Sequence, residues 1–266
     1  DDDDDDDDDD DEAGNTEAAV APDDDSAGTA RAVVAFELAT DDGTSNDDGQ
    51  VLVLRAAFSP KSVARLRDLV NGSGLGDCDA SVLCGHVGHA ATPAGRVDRR
   101  AFGGVLDAFA TSPSRAAPHA PLLHYLYGAF VRDEQLGADA AEVAAGLSLL
   151  CAGSKSAKLA VAWELFDGDK WDGALSRRGL WRYLRSFLAV LLAVASLPDG
   201  EDDVADIVVD VVDDADDAAV ALAATIFEET GCDDLIAFDD FADWYTEGGF
   251  RVASWLELLD LTKWVL

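Results

Sequence analysis

Between Trp163 and Leu197 the chain reads WELFDGDKWDGALSRRGLWRYLRSFLAVLLAVASL. Three carboxylates, Asp167, Asp169 and Asp172, stand at short spacing after an apolar run. Gly173 follows them, then Leu175 and Ser176. Carboxylates at alternate places of a loop can wrap their oxygens around one hard cation, and calcium takes six to eight of them. The glycine permits the sharp turn that this wrapping needs. The chemistry on offer is cation binding, not bond making. Two departures weaken it. Trp171 is one residue too many before Asp172 and Gly173, and the last ligand place, counted from Gly173, holds Gly179. No acidic residue occurs between Asp172 and Asp199, while Arg177 and Arg178 add positive charge nearby. Affinity follows ligand charge, so a calcium site here is expected to be weak.

A similar pattern returns in EETGCDDLIAFDDFADWY. Ile236 takes the aliphatic place that Leu175 takes above, and Asp240 falls at the last ligand place. The early places hold Glu229, Gly231 and Asp233, and Asp234 stands where a glycine is wanted. Asp233 and Asp240 are therefore further candidate ligands, with an aspartate reaching less far than a glutamate. Upstream, TPAGRVDRRAFGGVLDAF carries Gly95, Val97 and Asp98 in the same order. Its early places hold Ala90, Thr92 and Ala94, which predicts a metal-free loop. A fourth loop is expected near Asp133 and Glu134, whose spacing is poor for a ligand set.

Helices must position these loops. Ser59-Pro60 is a helix start, with Ser as cap and Pro at the first helical place. Val63, Leu66, Leu69 and Val70 recur at helical spacing before the break from Gly72 to Gly76. A second helix is expected over Ala80 to Ala91, and another opens at Asp98. Pro113 to Pro121 is rich in breakers and reads as a linker. Asp139 with Glu142 resembles a capping box, and Gly153-Ser154 closes one helix and opens the next. Leu180 to Val194 is apolar all round. Residues 198–217 are dense in Asp and are expected to be an exposed insertion. Ser254 and Glu257 predict a terminal helix over 254–265, whose Trp255, Leu256, Leu258, Leu259, Leu261 and Trp264 dock into a groove or bind a partner, docking being favoured.

The formal charge of −35 would repel phosphates, which argues against nucleic acid and against anionic membrane surfaces. Phe187 to Leu197 is the longest apolar run and is far short of the roughly 20 residues a membrane span needs. Four scattered cysteines and no secretory signal lead us to expect a cytoplasmic, reducing setting. Residues 1–49 open on an uninterrupted acidic run and are expected to be a disordered tail. Ala32 to Leu38 is its one apolar island, open to reading as a docked strand, a linear motif or noise. Cys78, Cys84, His86 and His89 lie close together, but on one helix Cys84 and His86 point to different sides, so they read as partly buried side chains and not as zinc ligands. No phosphate loop, nucleophile elbow or other catalytic set occurs, so an enzyme acting alone is not expected.

The stretch AAEVAAGLSLLCAGSKSAKLAVAWELFDGDKWDGALSRRGLWRYL, together with IAFDDFADWY and its apolar trailer, resembles the EF-hand superfamily. It is similar to calcineurin B and neuronal calcium sensor proteins, and to the EF-hand module of some ubiquitin-specific peptidases. The resemblance implies an all-α fold of paired helix-loop-helix hands. It also implies calcium at Asp167, Asp169 and Asp172 and at Asp233 and Asp240. A partner helix or peptide would bind in an apolar groove. The expected division is an acidic tail 1–49, a degenerate pair of hands 50–112, and a second region 113–266 holding the insertion and the terminal helix. The rival expectations are a calcium-independent scaffold and the regulatory domain of a larger enzyme.

Overall fold

The computed structural model describes residues 34–39, 53–110, 114, 117–133, 135–167, 172–197 and 204–264. Most of the expected tail lies outside the described residues. Its apolar island does not: β1 (Val34–Ala39) pairs antiparallel with β2 (Val53–Phe58), with Val34 opposite Phe58. The fold therefore begins before residue 50.

Caps readable in the sequence start the helices. Ser59 accepts the Ser62 amide at 3.0 Å ahead of α1 (Pro60–Ser73), which ends at Gly74. Then come α2 (Ala80–Ala90), the two-residue β3 (Arg96–Val97) and α3 (Arg99–Phe109), capped by Asp98 through the Ala101 amide at 2.7 Å. Next are α4 (Ala120–Gly128), β4 (Ala138–Asp139) and α5 (Ala140–Leu147), whose cap Asp139 accepts the amides of Ala141 and Glu142. Ser154 caps α6 (Lys155–Glu164), and Ser176 at the end of β5 (Ala174–Ser176) caps α7 (Arg177–Ala195). The last pair is α8 (Val204–Thr230) and α9 (Phe238–Glu247), with β6 (Leu235–Ala237) between them.

The elements repeat as helix, loop, short strand, helix. The strands pair two and two. β3 meets β4 with Val97 opposite Ala138, and β5 meets β6 with Leu175 opposite Ile236. The first pairing crosses the linker at Pro113, so the unit α2–β3–α3 finds its partner in α4–β4–α5, beyond the expected boundary at 112. At the centre is α7. Every residue from Tyr183 to Val194 on it is buried, against α8, α5, α4 and the hairpin. Among the described residues no helix is long and apolar enough to cross a membrane.

Two expectations need correction. Residues 204–217 are not a separate insertion ahead of a helix but the first half of α8, a 27-residue helix. Val211, Ala215, Ala218 and Ala219 recur at helical spacing and are buried, so the aspartates between them line the other faces. The terminal segment is not an α-helix over 254–265. It forms two 3₁₀ turns, Ser254–Leu259 and Leu261–Lys263, both after residues without a helical extension to continue. The carbonyls of Leu258 and Leu259 accept the Trp264 indole (2.6 Å) and Lys158 Nζ (2.8 Å), which fasten the turns in place of further helical bonds.

A buried charge cluster joins the two pairs of units. Glu142, 1% exposed, accepts Arg182 Nε at 2.9 Å, Arg185 Nη1 at 3.1 Å and Arg132 Nη1 at 3.1 Å. Asp216 accepts from Arg132 at 3.1 Å and also from Arg185, and Asp139 pairs with Arg182 at 2.6 Å. Arg185 is 0% exposed and also donates to the Ala129 carbonyl at 3.3 Å. Burial pulls its guanidinium down, while Glu142 and Asp216 hold it up. Removing one partner of such a pair strands a buried charge, so Glu142→Gln is expected to cost about 3 kcal/mol in urea unfolding. Arg185→Met should cost a similar amount, and the double variant about 1–3 kcal/mol less than the sum of the two. Additive losses would show that the two side chains are not coupled.

Candidate functional site

The acidic loop after α6 is held by its own groups. Trp163 Nε1 donates to the Gly173 carbonyl at 2.8 Å, and the Gly173 amide donates to Asp167 Oδ2 at 2.9 Å. The chain turns through two successive left-handed residues, Asp172 at φ 51° and Gly173 at φ 86°. Glycine takes this conformation freely, and aspartate is among the few side chains that tolerate it. Asp167 Oδ1 is buried and has no hydrogen-bond partner among the described residues. Asp172 is exposed in the same loop, and Asp169 lies outside the described residues. Where a last ligand would stand, the Gly179 amide is taken by the Ser176 hydroxyl at 3.2 Å.

The loop between α8 and α9 places its candidates differently. Asp233 and Asp240 are both exposed. Asp240 Oδ2 accepts the Ala237 amide at 3.2 Å and so caps α9. Glu229 Oε2, at the first ligand place, accepts Trp244 Nε1 at 2.6 Å. The structure thus leaves an unspent buried carboxylate oxygen in the first of these loops, and in the second it engages Glu229 and Asp240. Among the described residues no three His, Cys, Asp or Glu side chains converge as metal ligands. Cys78, Cys84, His86 and His89 do not converge either. His86 stands edge-on to Phe109, and His89 bonds the Gly85 carbonyl at 2.6 Å.

The two remaining loops close without carboxylates aimed at a common point. Thr92 Oγ1 accepts the Arg96 amide at 3.2 Å, and the Thr92 and Gly95 amides complete the turn. The Gly95 carbonyl accepts the Ala140 amide at 2.9 Å, which ties this loop to α5. In the partner loop Asp133 accepts the Gln135 amide at 2.8 Å. Gly137 has φ 72°, and a Cβ there would lie 2.6 Å from the Val97 carbonyl oxygen, so only glycine lets the two strands close.

The terminal segment supplies the second feature. Trp255, Leu256, Leu258, Leu259 and Trp264 are all buried, and Trp264 meets Phe58 edge-on at 4.8 Å. Lys158, 0% exposed, donates to the carbonyls of Leu149 (2.9 Å) and Leu259 (2.8 Å) and so fastens the segment to α6. Lys155 pairs with Glu257, which also accepts the Tyr245 hydroxyl at 2.7 Å. These bonds, the Lys155 bond foremost, hold the Glu257 carboxyl below its usual range. The sequence reading passed over Lys158. Its signal was periodicity, since it stands four residues before the buried Ala162 on the stripe that also carries Leu159 and Trp163.

Comparison with family models, with curated proteins and with solved structures finds no match.

Burial lowers the Lys158 pKa to about 8, against the nearby Cys151 and Asp260. A lysine depressed in the folded state binds fewer protons there than in the unfolded chain between its two pKa values. Its stability contribution therefore rises with pH from about 8 towards the unfolded value. Above pH 10 the tyrosines whose pKa is raised, such as Tyr125 at about 12, act in the opposite direction. Between pH 8 and 10 the buried thiols of Cys84 and Cys151, both raised, oppose the lysine in either protein, so the lysine is read as a difference: wild type should gain about 2 kcal/mol relative to Lys158→Met across that window. Parallel urea unfolding of the two proteins across that window measures the difference, and identical pH slopes would rule out the assignment.

Proposed function

We propose that this is an EF-hand regulatory module that binds a partner helix or peptide and carries one weak calcium site. The observation that carries the reading is the pairing of Leu175 with Ile236, which joins two helix-loop-helix units at their loops in the manner of paired hands. In this reading Asp167, Asp169 and Asp172 hold the ion, which supplies a positive charge to draw their carboxylates together. The unpartnered Asp167 Oδ1 supports that placement. Asp233 and Asp240 contribute little, because Asp240 caps its own helix.

The partner takes the apolar place on α6 and the hairpin that the terminal turns fill in the free chain. No catalytic step belongs to this reading. It holds equally for a separate cytoplasmic adaptor and for the regulatory part of a larger enzyme. A second reading, a calcium-independent scaffold, draws support from the Ser176–Gly179 cap and from the self-closed Thr92 loop.

Calcium titration by calorimetry separates the two. The whole chain is used, because truncation at residue 50 would remove β1. The control is the variant with Asp167, Asp169 and Asp172 changed to Ala, which keeps the acidic N-terminal residues and their weak binding. The expected result is a saturable component with Kd on the order of 10⁻⁴ M or weaker, lost in the variant. Identical heats in the two proteins would leave the scaffold reading in its place.

A further inference from the structure

Two thiols outside the loops stand in a suggestive arrangement. Cys78 follows the turn Leu75–Asp77 ahead of α2, and Cys151 follows the turn Ser148–Leu150 ahead of α6. Their segments run side by side. The Ala152 amide donates to the Cys78 carbonyl at 2.9 Å, and Asp79 and Ala152 form a parallel bridge. The two Sγ atoms lie 3.8 Å apart in hydrogen-bond contact. A disulfide needs Cα atoms within about 4.4–6.8 Å and sulfurs at about 2 Å. The residues one place on, Asp79 and Ala152, are bridge partners, and neighbouring bridged segments run about 5 Å apart, inside the first range; the sulfurs must close from 3.8 Å to meet the second.

The pair is asymmetric. Cys151 is 0% exposed, whereas Cys78 is half-buried and reaches solvent. The hydrogen bond from Cys151 pulls the Cys78 thiol down, against burial and the charges of Asp79 and Asp77. Its bond to Cys78 and burial push the Cys151 thiol far up. Cys78 is therefore the thiol that ionises and can be reached, and Cys151 is the one held in reserve. Cys84, by contrast, is buried and pushed up to about 11.

We propose that Cys78 and Cys151 form a thiol–disulfide exchange site whose substrate is a small aliphatic disulfide. The Cys78 thiolate attacks one sulfur of the reagent, its S–S bond breaks, and the first thiolate leaves and takes a proton from solvent. Cys151 then gives up its proton to solvent, and its sulfur attacks Cys78 Sγ and expels the second thiolate, which is protonated in turn. Two protein thiols are oxidised to one disulfide, and one reagent disulfide is reduced to two thiols. Asp77 and Asp79 flank the attacked position in a chain of charge −35, so cationic disulfides are favoured over anionic ones. The cross-link spans the whole first pair of units and fastens the turn ahead of α6. Neither cysteine lies in an acidic loop, so the site stands or falls independently of calcium.

The test treats the reduced full-length chain with cystamine, which is cationic, or with oxidised glutathione, which is anionic. Products are mapped by mass spectrometry. The expected product has lost two hydrogens and yields a linked Cys78–Cys151 peptide. It forms about tenfold faster with cystamine at low ionic strength, and salt narrows the gap. Its thermal midpoint should lie on the order of 10 °C above that of the reduced chain. Cys151→Ser should stall as a mixed disulfide on Cys78. A wild-type chain that accumulates mixed disulfides without the linked peptide, or links other cysteines, overturns the proposal even if the variant misfolds. Equal rates with the two reagents overturn the assignment of the substrate class.

Discussion

The fold depends on one constraint: Glu142 and Arg185 are both inside. Taking either ion out of water costs several kcal/mol after relaxation, and their mutual attraction offsets this only when every donor and acceptor is engaged. Here the demand is met by recruitment. Arg132 and Arg182 add donors, and Asp216 and Asp139 add acceptors, so three guanidinium groups face three carboxylates. The recruits come from the loop after α4, from β4 and α5, from α7 and from α8. The cluster therefore cross-ties elements of both pairs of units at one point. The cluster thereby specifies how the first pair of units meets the second, which apolar packing around α7 alone would leave less determined.

The overall charge makes that arrangement more pointed. The chain has 19 basic residues against 54 acidic ones, so most carboxylates have no cation to pair with. They must stay in water or repel one another. Helix α8 shows the outcome. Its alanines and Val211 pack on the central helix, and of its many aspartates Asp216 is turned to the arginines. A helix this acidic forms because its buried stripe is continuous, not because its other faces are favourable.

Much of this was legible in the sequence because it is local. Ser59, Asp98 and Ser154 each cap the helix expected of them, since a cap needs only a short side chain and the amides two or three residues on, and Ser176 adds a cap of the same kind. The aliphatic places Leu175 and Ile236 could be found by counting from Gly173 and back from Asp240, and they face each other. What escaped is non-local. The island at Val34–Ala39 becomes a strand only through β2. The start of α8 reads as a solvated run until α7 is there to bury its alanines. The terminal turns depend on Lys158, roughly a hundred residues earlier in the chain. Glu142 looked like half of a capping box, and Asp139 does cap, but the glutamate turns to arginines 40 and 43 residues away. The candidate ligands were legible as residue types and not as geometry, because the same carboxylate can bind an ion or an amide.

That competition between ion and amide is the physical question at the loops. A loop designed around a cation leaves its carboxylates idle without one, and idle buried oxygens are costly. This chain has largely removed the difficulty. Thr92 closes the first loop with a hydroxyl, Asp133 spends its carboxylate on Gln135, and Asp240 spends its own on Ala237. The paired strands then hold the loops together through backbone bonds and through Val97, Ala138, Leu175 and Ile236, all buried. The helices that flank these three loops are thus set by packing and by the arginine cluster. Among the described residues Asp167 alone keeps a buried side-chain oxygen unspent. Under the proposed reading an ion there would satisfy that oxygen locally but would work against a frame fixed elsewhere, so it would steady the loop after α6 far more readily than reopen the seat of the terminal segment.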